Sequence, residues 1–115
     1  MRALNFYSSH YHSQLISRRK SCTIRSGDKS AKYHEGDIVW ITVGKRFSQR
    51  KKLYSAVIDR IDIKLISELT SEDLQGESQN ITSVDEMITF LHSIYDQTIL
   101  PSDVISVVYF SEVIE

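Results

Sequence analysis

In the sequence Lys20-Ser21-Cys22-Thr23-Ile24-Arg25, residues 21–25 alternate between polar and apolar side chains, as a half-buried β-strand does. The apolar Cys22 and Ile24 fall on one face, and Ser21, Thr23 and Arg25 fall on the other. Together with the two arginines that precede it, this segment places four cations, two hydroxyls and a thiol within residues 18–25. The composition indicates a site for an anionic ligand or for nucleophilic chemistry on the polar face.

Charged residues are divided unevenly along the chain. All 14 Lys and Arg residues lie within residues 1–64 beside only five acids, whereas residues 65–115 contain ten acids and neither Lys nor Arg. Formal charges of +9 and −10 in the two parts predict a cationic face that meets phosphate or carboxylate. The same division also fits two mutually attracting halves of one domain.

Length and composition limit the class of protein. A chain of 115 residues is a usual size for one domain, so we expect a single domain over residues 1–115, and a monomer. The lone cysteine excludes an intramolecular disulfide, and no run reaches the roughly 18 apolar residues of a membrane span. We therefore expect a cytoplasmic protein without a membrane partner. No cofactor is expected, and His10 and His12 lack nearby Cys or carboxylate partners for a metal site.

Hydrophobic patterns predict a mixed α/β (α+β) domain. Strands are predicted at residues 4–6, 21–25, 38–43, 53–65 and 104–110, and the run at 38–43, with Trp40 inside it, is expected to be buried on both sides. The long strand changes phase, which predicts a bulge near Asp59 and Arg60. A first helix, capped by Ser8 or Ser9, should end near Ser17 and bury Tyr11, Leu15 and Ile16. Two more helices are predicted from Thr70 to Gly76 and after the capping residue Ser83.

Three segments together resemble the ASCH domain, a branch of the PUA-like superfamily. They are Lys20-Ser21-Cys22-Thr23-Ile24-Arg25, Gly36-Asp37-Ile38-Val39 and Val107-Val108-Tyr109-Phe110. The predicted order of helices and strands is also similar to that family. The resemblance implies a small β-barrel of about five or six strands with two or three helices. It also implies a cleft that faces the basic motif and takes RNA or nucleoside-like ligands.

Within this family, the chain is similar to small amidohydrolases that remove the acetyl group from N4-acetylcytidine. Lys20 and Thr23 match their Lys-x-x-Thr motif, and aligning Leu69-Thr70 with the family's helix start places Glu77 at the catalytic glutamate. A threonine hydroxyl needs an adjacent base to attack an amide, and burial would lower the pKa of Lys20 toward that role. Positions 20 and 23 point to opposite faces of a regular strand, so Lys20 must lie at the helix–strand junction or beside a bulge.

Further contacts are predicted around this triad. The residues expected to bind the substrate are Arg19, Ser21 and Arg25. Arg18 stands where the family commonly has glycine, a residue that permits a tight turn from helix to strand. A basic loop at residues 44–52 is predicted to bind RNA, and its binding residues are Lys45, Arg46, Phe47, Arg50, Lys51 and Lys52.

Structural roles remain open for the same residues. Thr23 suits a strand because it is β-branched, Cys22 suits packing, and Lys20, Glu77 and the basic loop can simply be solvated. The functional alternatives are therefore an amidohydrolase, an RNA-binding module without turnover that uses the basic cleft and the loop, and an ASCH-type ribonuclease.

Overall fold

The computed structural model describes residues 2–6, 11–45 and 49–114, and within these ranges it contains five strands and three α-helices. In chain order the elements are β1 (Ala3–Phe6), α1 (His12–Ile16), β2 (Cys22–Ser26), β3 (Ile38–Val43), β4 (Lys51–Leu65), α2 (Ser71–Glu77), α3 (Val84–Tyr95) and β5 (Val104–Glu112). A 3-10 turn at Ile66–Glu68 joins β4 to α2. The predicted mixed α/β class is confirmed.

All five strands belong to one sheet with the order β1-β3-β4-β5-β2. β1 runs parallel to β3, and the other neighbours are antiparallel. β4 is long enough to pair with β3 through its first half and with β5 through most of its length. Its register shifts between Ile58 and Arg60, which confirms the predicted bulge and bends the strand. The sheet therefore curls into a half-barrel.

The half-barrel is open along one seam, between its edge strands β1 and β2. No backbone ladder joins these two strands within the described part of the chain. A side chain bridges them instead, because Nη2 of Arg25 on β2 donates a hydrogen bond to the carbonyl oxygen of Asn5 on β1 at 3.2 Å. The strands therefore number five but do not close the predicted barrel by backbone pairing, and the seam leaves room for a cleft.

Two hydrophobic cores lie on opposite faces of the sheet. One fills the concave side and includes Leu4, Phe6 and Ile41, with Tyr11 and Leu15 from the α1 region packed against them. The other lies between the β2–β5 side and the helices α2 and α3. β5 contributes alternate residues to both cores, so it is buried on both faces over most of its length.

Three predictions of burial or loop position were wrong. Trp40 and Ile38 on β3 are 43% and 41% exposed, whereas Val39 and Ile41, on the other face of the strand, are buried in the core. Ile16, at the end of the short helix α1, is exposed to solvent. The basic loop is also shorter than predicted, since residues 51 and 52 pair with β3 as the start of β4.

Helices α2 and α3 begin at the predicted caps. The side chain of Thr70 accepts a hydrogen bond from the Asp73 amide, and that of Ser83 accepts one from the Glu86 amide. α2 continues one residue past the predicted end at Gly76, which brings Glu77 onto its last turn. The N-cap predicted for the first helix, Ser8 or Ser9, lies outside the described residues. Within the described ranges, no helix has the length and apolar character needed to span a membrane.

Candidate functional site

Lys20 and Glu77 form an ion pair in the interior of the protein. The Lys20 Nζ lies 2.9 Å from Oε2 of Glu77, and neither side chain has any exposed surface. The same ammonium group donates a 2.6 Å hydrogen bond to the main-chain carbonyl of Glu77. That carbonyl is at the carboxyl end of α2, where unpaired carbonyl groups favour a cation. Two predicted catalytic residues, 57 positions apart, are thereby in direct contact.

The Glu77 carboxylate has two further donors. The hydroxyl of Tyr11 donates to Oε1 at 2.6 Å, and the backbone amide of Ile24 donates to Oε2 at 2.7 Å. A buried charge is stable only when it is paired and hydrogen-bonded, and these contacts satisfy both carboxylate oxygens. Because Ile24 follows Thr23 on β2, its amide ties the carboxylate to the strand that carries the predicted nucleophile.

A close approach of α2 to β2 places Glu77 in this position. A Cβ atom on Gly76 would lie 2.7 Å from Sγ of Cys22 and 2.8 Å from Oγ of Ser21, so any larger residue would push the helix away. The amide of Ser21 donates to the Gly76 carbonyl at 3.1 Å and fixes this contact. The absence of a side chain at position 76 therefore lets the helix bring its last turn against the strand.

Lys20 lies at the junction between α1 and β2, as the spacing of Lys20 and Thr23 required. The turn before it uses a left-handed backbone at Arg18, with φ of 62°, a conformation that glycine adopts most easily. Arg18 compensates with side-chain contacts. Its guanidinium donates to the carbonyls of Leu15 and Ile16, pairs with Glu112 at 3.0 Å and lies over the Tyr54 ring. An arginine thus makes a turn that glycine would make with less strain.

Burial changes the protonation chemistry of this site. Desolvation is the largest influence on Lys20 and lowers its pKa, although the neighbouring Glu77 opposes the shift. Burial and the Glu77 carboxylate raise the pKa of Tyr11 far above its ordinary value, so the phenol remains a hydrogen-bond donor. The site therefore combines a lysine that loses its proton more readily than usual with a carboxylate that stabilises it when protonated.

Thr23 lies on the concave face of β2, beside Arg25. Its Oγ1 accepts a hydrogen bond from Nε of Arg25 at 3.0 Å, while the guanidinium also contacts Asn5 and lies 4.8 Å from the Phe6 ring centre. Thr23 and Tyr11 line a cavity of about 20 Å³, which is room for one water molecule or a methyl-sized group. The hydroxyl is thus held next to a small space at the inner end of the seam.

A larger cleft of about 570 Å³ opens outward from this cavity, and its size is that of an ordinary small-ligand site. Both spaces are bordered by Asn5, Arg25, Ile94 and Tyr95, so they adjoin. The outer cleft adds four residues to this border, which are Ala3, Lys32, Tyr33 and Arg50. A ligand in the outer cleft can therefore direct a small group toward Thr23.

The remaining predicted residues are dispersed. Arg19 and Ser21 are exposed and are not among the residues that line the cleft; Arg19 bonds to Ser17, and Ser21 borders a separate cavity with Arg18 and Glu112. Of the predicted RNA-binding set, one residue, Arg50, lines the cleft. Lys45, Lys51 and Lys52 are exposed elsewhere, with Lys52 beside the Trp40 ring. Arg46 and Phe47 lie outside the described residues, as does His10.

Sequence reasoning missed Asn5, Lys32 and Tyr11 as members of this site. Tyr11 was predicted to be a core residue, and the structure shows both its buried ring and its bond to Glu77. The available signal was its hydroxyl, because a buried tyrosine usually requires a polar partner. No sequence feature indicated Asn5 or Lys32, since these residues reach the cleft only through the fold of the sheet.

Cys22 and the side chains that could ligate a metal are further candidates for chemistry. Burial raises the pKa of the Cys22 thiol to about 12, so Cys22 is a packing residue, as predicted. No group of three or more His, Cys, Asp or Glu side chains in residues 2–6, 11–45 and 49–114 has the geometry of a metal site.

The fold of the half-barrel is shared by solved structures that include an ASCH domain. A DUF984-family protein from Enterococcus faecalis shares the fold with a TM-score of 0.69 and 16% identity over 98% of this chain and 80% of its own. An ASCH domain from Lactobacillus crispatus gives a TM-score of 0.68 and 11% identity, over 96% and 78% of the two chains. The hypothetical protein PH0355 gives a TM-score of 0.68 and 15% identity, over 98% of this chain and 100% of its own. No family model and no curated protein matches the sequence.

Proposed function

We propose that this protein is an amidohydrolase that removes the acetyl group from N4-acetylcytidine. The observation that carries the proposal is the fully buried Lys20–Glu77 pair, whose carboxylate accepts the backbone amide of Ile24, the neighbour of Thr23, while Thr23 itself borders a small cavity. An ion pair without solvent contributes little stability relative to apolar residues, so its retention favours a chemical role. The resemblance of these three residues to a family triad supports the same role.

The proposed reaction proceeds in two stages. The reaction requires the form of the protein in which Lys20 has lost its proton, a form that the lowered pKa of this lysine favours. In that form, Oγ1 of Thr23 attacks the amide carbonyl carbon while its proton passes to Lys20, and the Glu77 carboxylate stabilises the new ammonium. Lys20 then returns the proton to the departing cytosine amine, leaving an acetyl ester on Thr23. Water hydrolyses this ester to acetate and restores the threonine.

Arg25 is suited to stabilise the negative charge that develops on the substrate oxygen. Its Nε lies 3.0 Å from the Thr23 hydroxyl, and Arg25 borders both the inner cavity and the outer cleft. A fixed donor next to the nucleophile is the arrangement used for oxyanions in acyl transfer. Because Thr23 Oγ1 accepts from Arg25, its own proton stays available, and the mechanism requires that proton to reach Lys20 when the substrate binds, a stage at which catalytic hydrogen bonds commonly tighten.

Incubation with N4-acetylcytidine tests this function directly, with cytidine and acetate as the measured products. Thr23→Ala should reduce the rate by about a thousandfold or more, the scale of losing a nucleophile from a coupled set. Thr23→Ser should retain part of the activity because it keeps a hydroxyl. Ser55→Ala, which removes a buried hydroxyl from β4, is the matched control and should remain active. Near-normal turnover by Thr23→Ala would refute the mechanism.

The second candidate function is RNA binding without turnover. The observation in its favour is Arg50, which connects the basic segment before β4 with the cleft. If Arg50, Lys51 and Lys52 each neutralise one phosphate, log affinity for single-stranded RNA should fall with log salt at a slope of about −2. Alanine at all three positions should flatten that slope. No product from the parent protein, together with this salt dependence, would favour the binding module.

A further inference from the structure

We propose that the ligand of the cleft carries a phosphate group, held by Lys32 and Arg50, so that the substrate is a phosphorylated nucleoside. The nucleoside part of this inference rests on the proposed function. The phosphate part rests on the charge and layout of the cleft.

Cations line the cleft without any acid. Arg25, Lys32 and Arg50 border the outer cleft, and Lys29 joins Arg25 and Lys32 around an adjoining cavity of about 190 Å³. None of the described residues that line these spaces is Asp or Glu, although the chain has more acids than cations. Clustered charge of one sign around a concave surface concentrates ligands of the opposite sign.

The cleft cations also lack ion-pair partners among the described residues. The ion pairs of this part of the chain that involve Lys or Arg use Arg18, Lys20, Arg60 and Lys64. No described carboxylate lies within 4.0 Å of the charged groups of Lys29, Lys32 or Arg50. An anionic ligand would therefore bind without first displacing an internal partner.

A folded turn holds the two lysines beside each other. The carbonyl of Lys29 accepts hydrogen bonds from the amides of Lys32 and Tyr33, each at 3.0 Å, and the Lys29 amide donates to Oγ of Ser106 at 2.8 Å. Tyr33 anchors the turn, since its ring is buried and its hydroxyl donates to the Ala3 carbonyl at 3.1 Å. The backbone positions of both lysines are fixed before a ligand arrives, which lowers the cost of binding.

The reacting end and the phosphate end of the ligand are separate. Arg25 borders all three spaces, and its bonds to Thr23 and Asn5 assign it to the inner cavity. Lys32 and Arg50 border the outer cleft and not the inner cavity. An acylated base directed toward Thr23 would thus leave its sugar and phosphate beside these two cations.

Isothermal titration with unacetylated ligands tests the proposal without any turnover. The probes are cytidine, its 5′- and 3′-monophosphates, and a short single-stranded RNA that ends in cytidine. One monophosphate should bind the parent at least about 30-fold more tightly than cytidine, because charge-assisted contacts to phosphate are strong. If the RNA binds more tightly than both mononucleotides, the phosphate belongs to a polymer. If the RNA binds more weakly, the phosphate belongs to a free nucleotide.

Substitutions locate the phosphate. Lys32→Gln and Arg50→Gln should each reduce the advantage of the monophosphate by about fivefold to tenfold, and the double variant should bind it no better than cytidine. Arg60→Gln is the matched control, since it removes one exposed charge that is paired with Asp62 on another part of the sheet. Equal binding of cytidine and both monophosphates by the parent, or an advantage that survives the double substitution, would overturn the inference.

The hydrolysis assay distinguishes a failure of the phosphate site from a failure of the proposed enzymatic function. A phosphate advantage that depends on Lys32 and Arg50, in a protein that does not deacetylate N4-acetylcytidine, would refute the enzyme and uphold the phosphate site. Efficient deacetylation by a protein that binds cytidine and its monophosphates equally would uphold the enzyme and refute the phosphate site.

Discussion

Helix α2 presents two buried carboxylates, Asp73 and Glu77, four residues apart, and the two have the same kinds of partner. Each accepts a hydrogen bond from a tyrosine hydroxyl and one from a backbone amide, and each forms an ion pair with a lysine. The tyrosine and lysine partners are Tyr109 and Lys64 for Asp73, and Tyr11 and Lys20 for Glu77.

The two clusters differ in access to water. Lys64 has 19% of its side chain exposed, whereas the side chain of Lys20 has none. Burial opposes ionisation of Asp73, but hydrogen bonds from Lys64, the Thr70 amide and Tyr109 outweigh it and lower its pKa. In the other cluster burial prevails and lowers the pKa of Lys20. Similar contacts thus lower the pKa of the carboxyl group in one cluster and the pKa of the lysine in the other.

Replacing each lysine by methionine should give the largest contrast between the clusters. Lys20→Met should reduce deacetylation by about a thousandfold or more, because no base remains for Thr23. Lys64→Met should stay within about threefold of the parent. The measurement is cytidine release at a temperature at which circular dichroism shows both variants to be folded. Comparable losses in the two variants would show that Lys20 acts only through stability.

The free energy of unfolding should distinguish the structural role of the Lys20–Glu77 charges from their role in catalysis. Lys20→Met should lower the free energy of unfolding by about 3–5 kcal/mol, because it leaves the Glu77 carboxylate buried without its partner. Lys64→Met should cost less, since water reaches that pair. The double variant Lys20→Met/Glu77→Leu should recover most of the stability and none of the activity. Urea unfolding measures all four proteins, and restored activity in the double variant would remove the pair from the mechanism.

The contact between α2 and β2 affects the two carboxylates unequally. Gly76→Ala should cost about 1–3 kcal/mol by overpacking against Ser21 and Cys22, and it should displace Glu77 more than Asp73. Deacetylation should therefore fall further than thermal stability alone explains. Adding Cys22→Ala should restore part of both, because it removes one of the two clashes. An active, fully stable Gly76→Ala protein would show that the helix can shift without harm.

The smallest expected effect is the pH dependence of the Asp73 cluster. A carboxyl group with a lowered pKa in the folded protein stabilises it above the ordinary pKa of about 3.9, and this contribution is lost as the pH falls through the folded value. The parent protein should unfold at a lower urea concentration at pH 3 than at pH 7. Asp73→Asn should reduce this difference between the two urea unfolding midpoints. An unchanged difference would assign the acid sensitivity to other carboxyl groups.

Several features followed from local sequence alone. The caps at Thr70 and Ser83, the bulge near Asp59 and the buried position of Cys22 depend on side chains close in sequence, and the structure confirms them. The resemblance around residues 20–25 also indicated the ASCH-type fold and the three residues of the proposed triad. Trp40 was misplaced because a continuous apolar run does not show which of its faces a helix will cover.

The tertiary structure alone decided the contents of the cleft. Asn5 on β1 and Arg25 on β2 meet because the sheet leaves its edge strands unpaired, and Lys32 and Arg50 approach them from separate loops. No local sequence pattern predicts these contacts, because they depend on how the 15-residue strand β4 bends at its bulge. The sequence determined which groups are available for chemistry. The curl of the sheet determined which of them lose their water, and that loss is what shifts the pKa of Lys20.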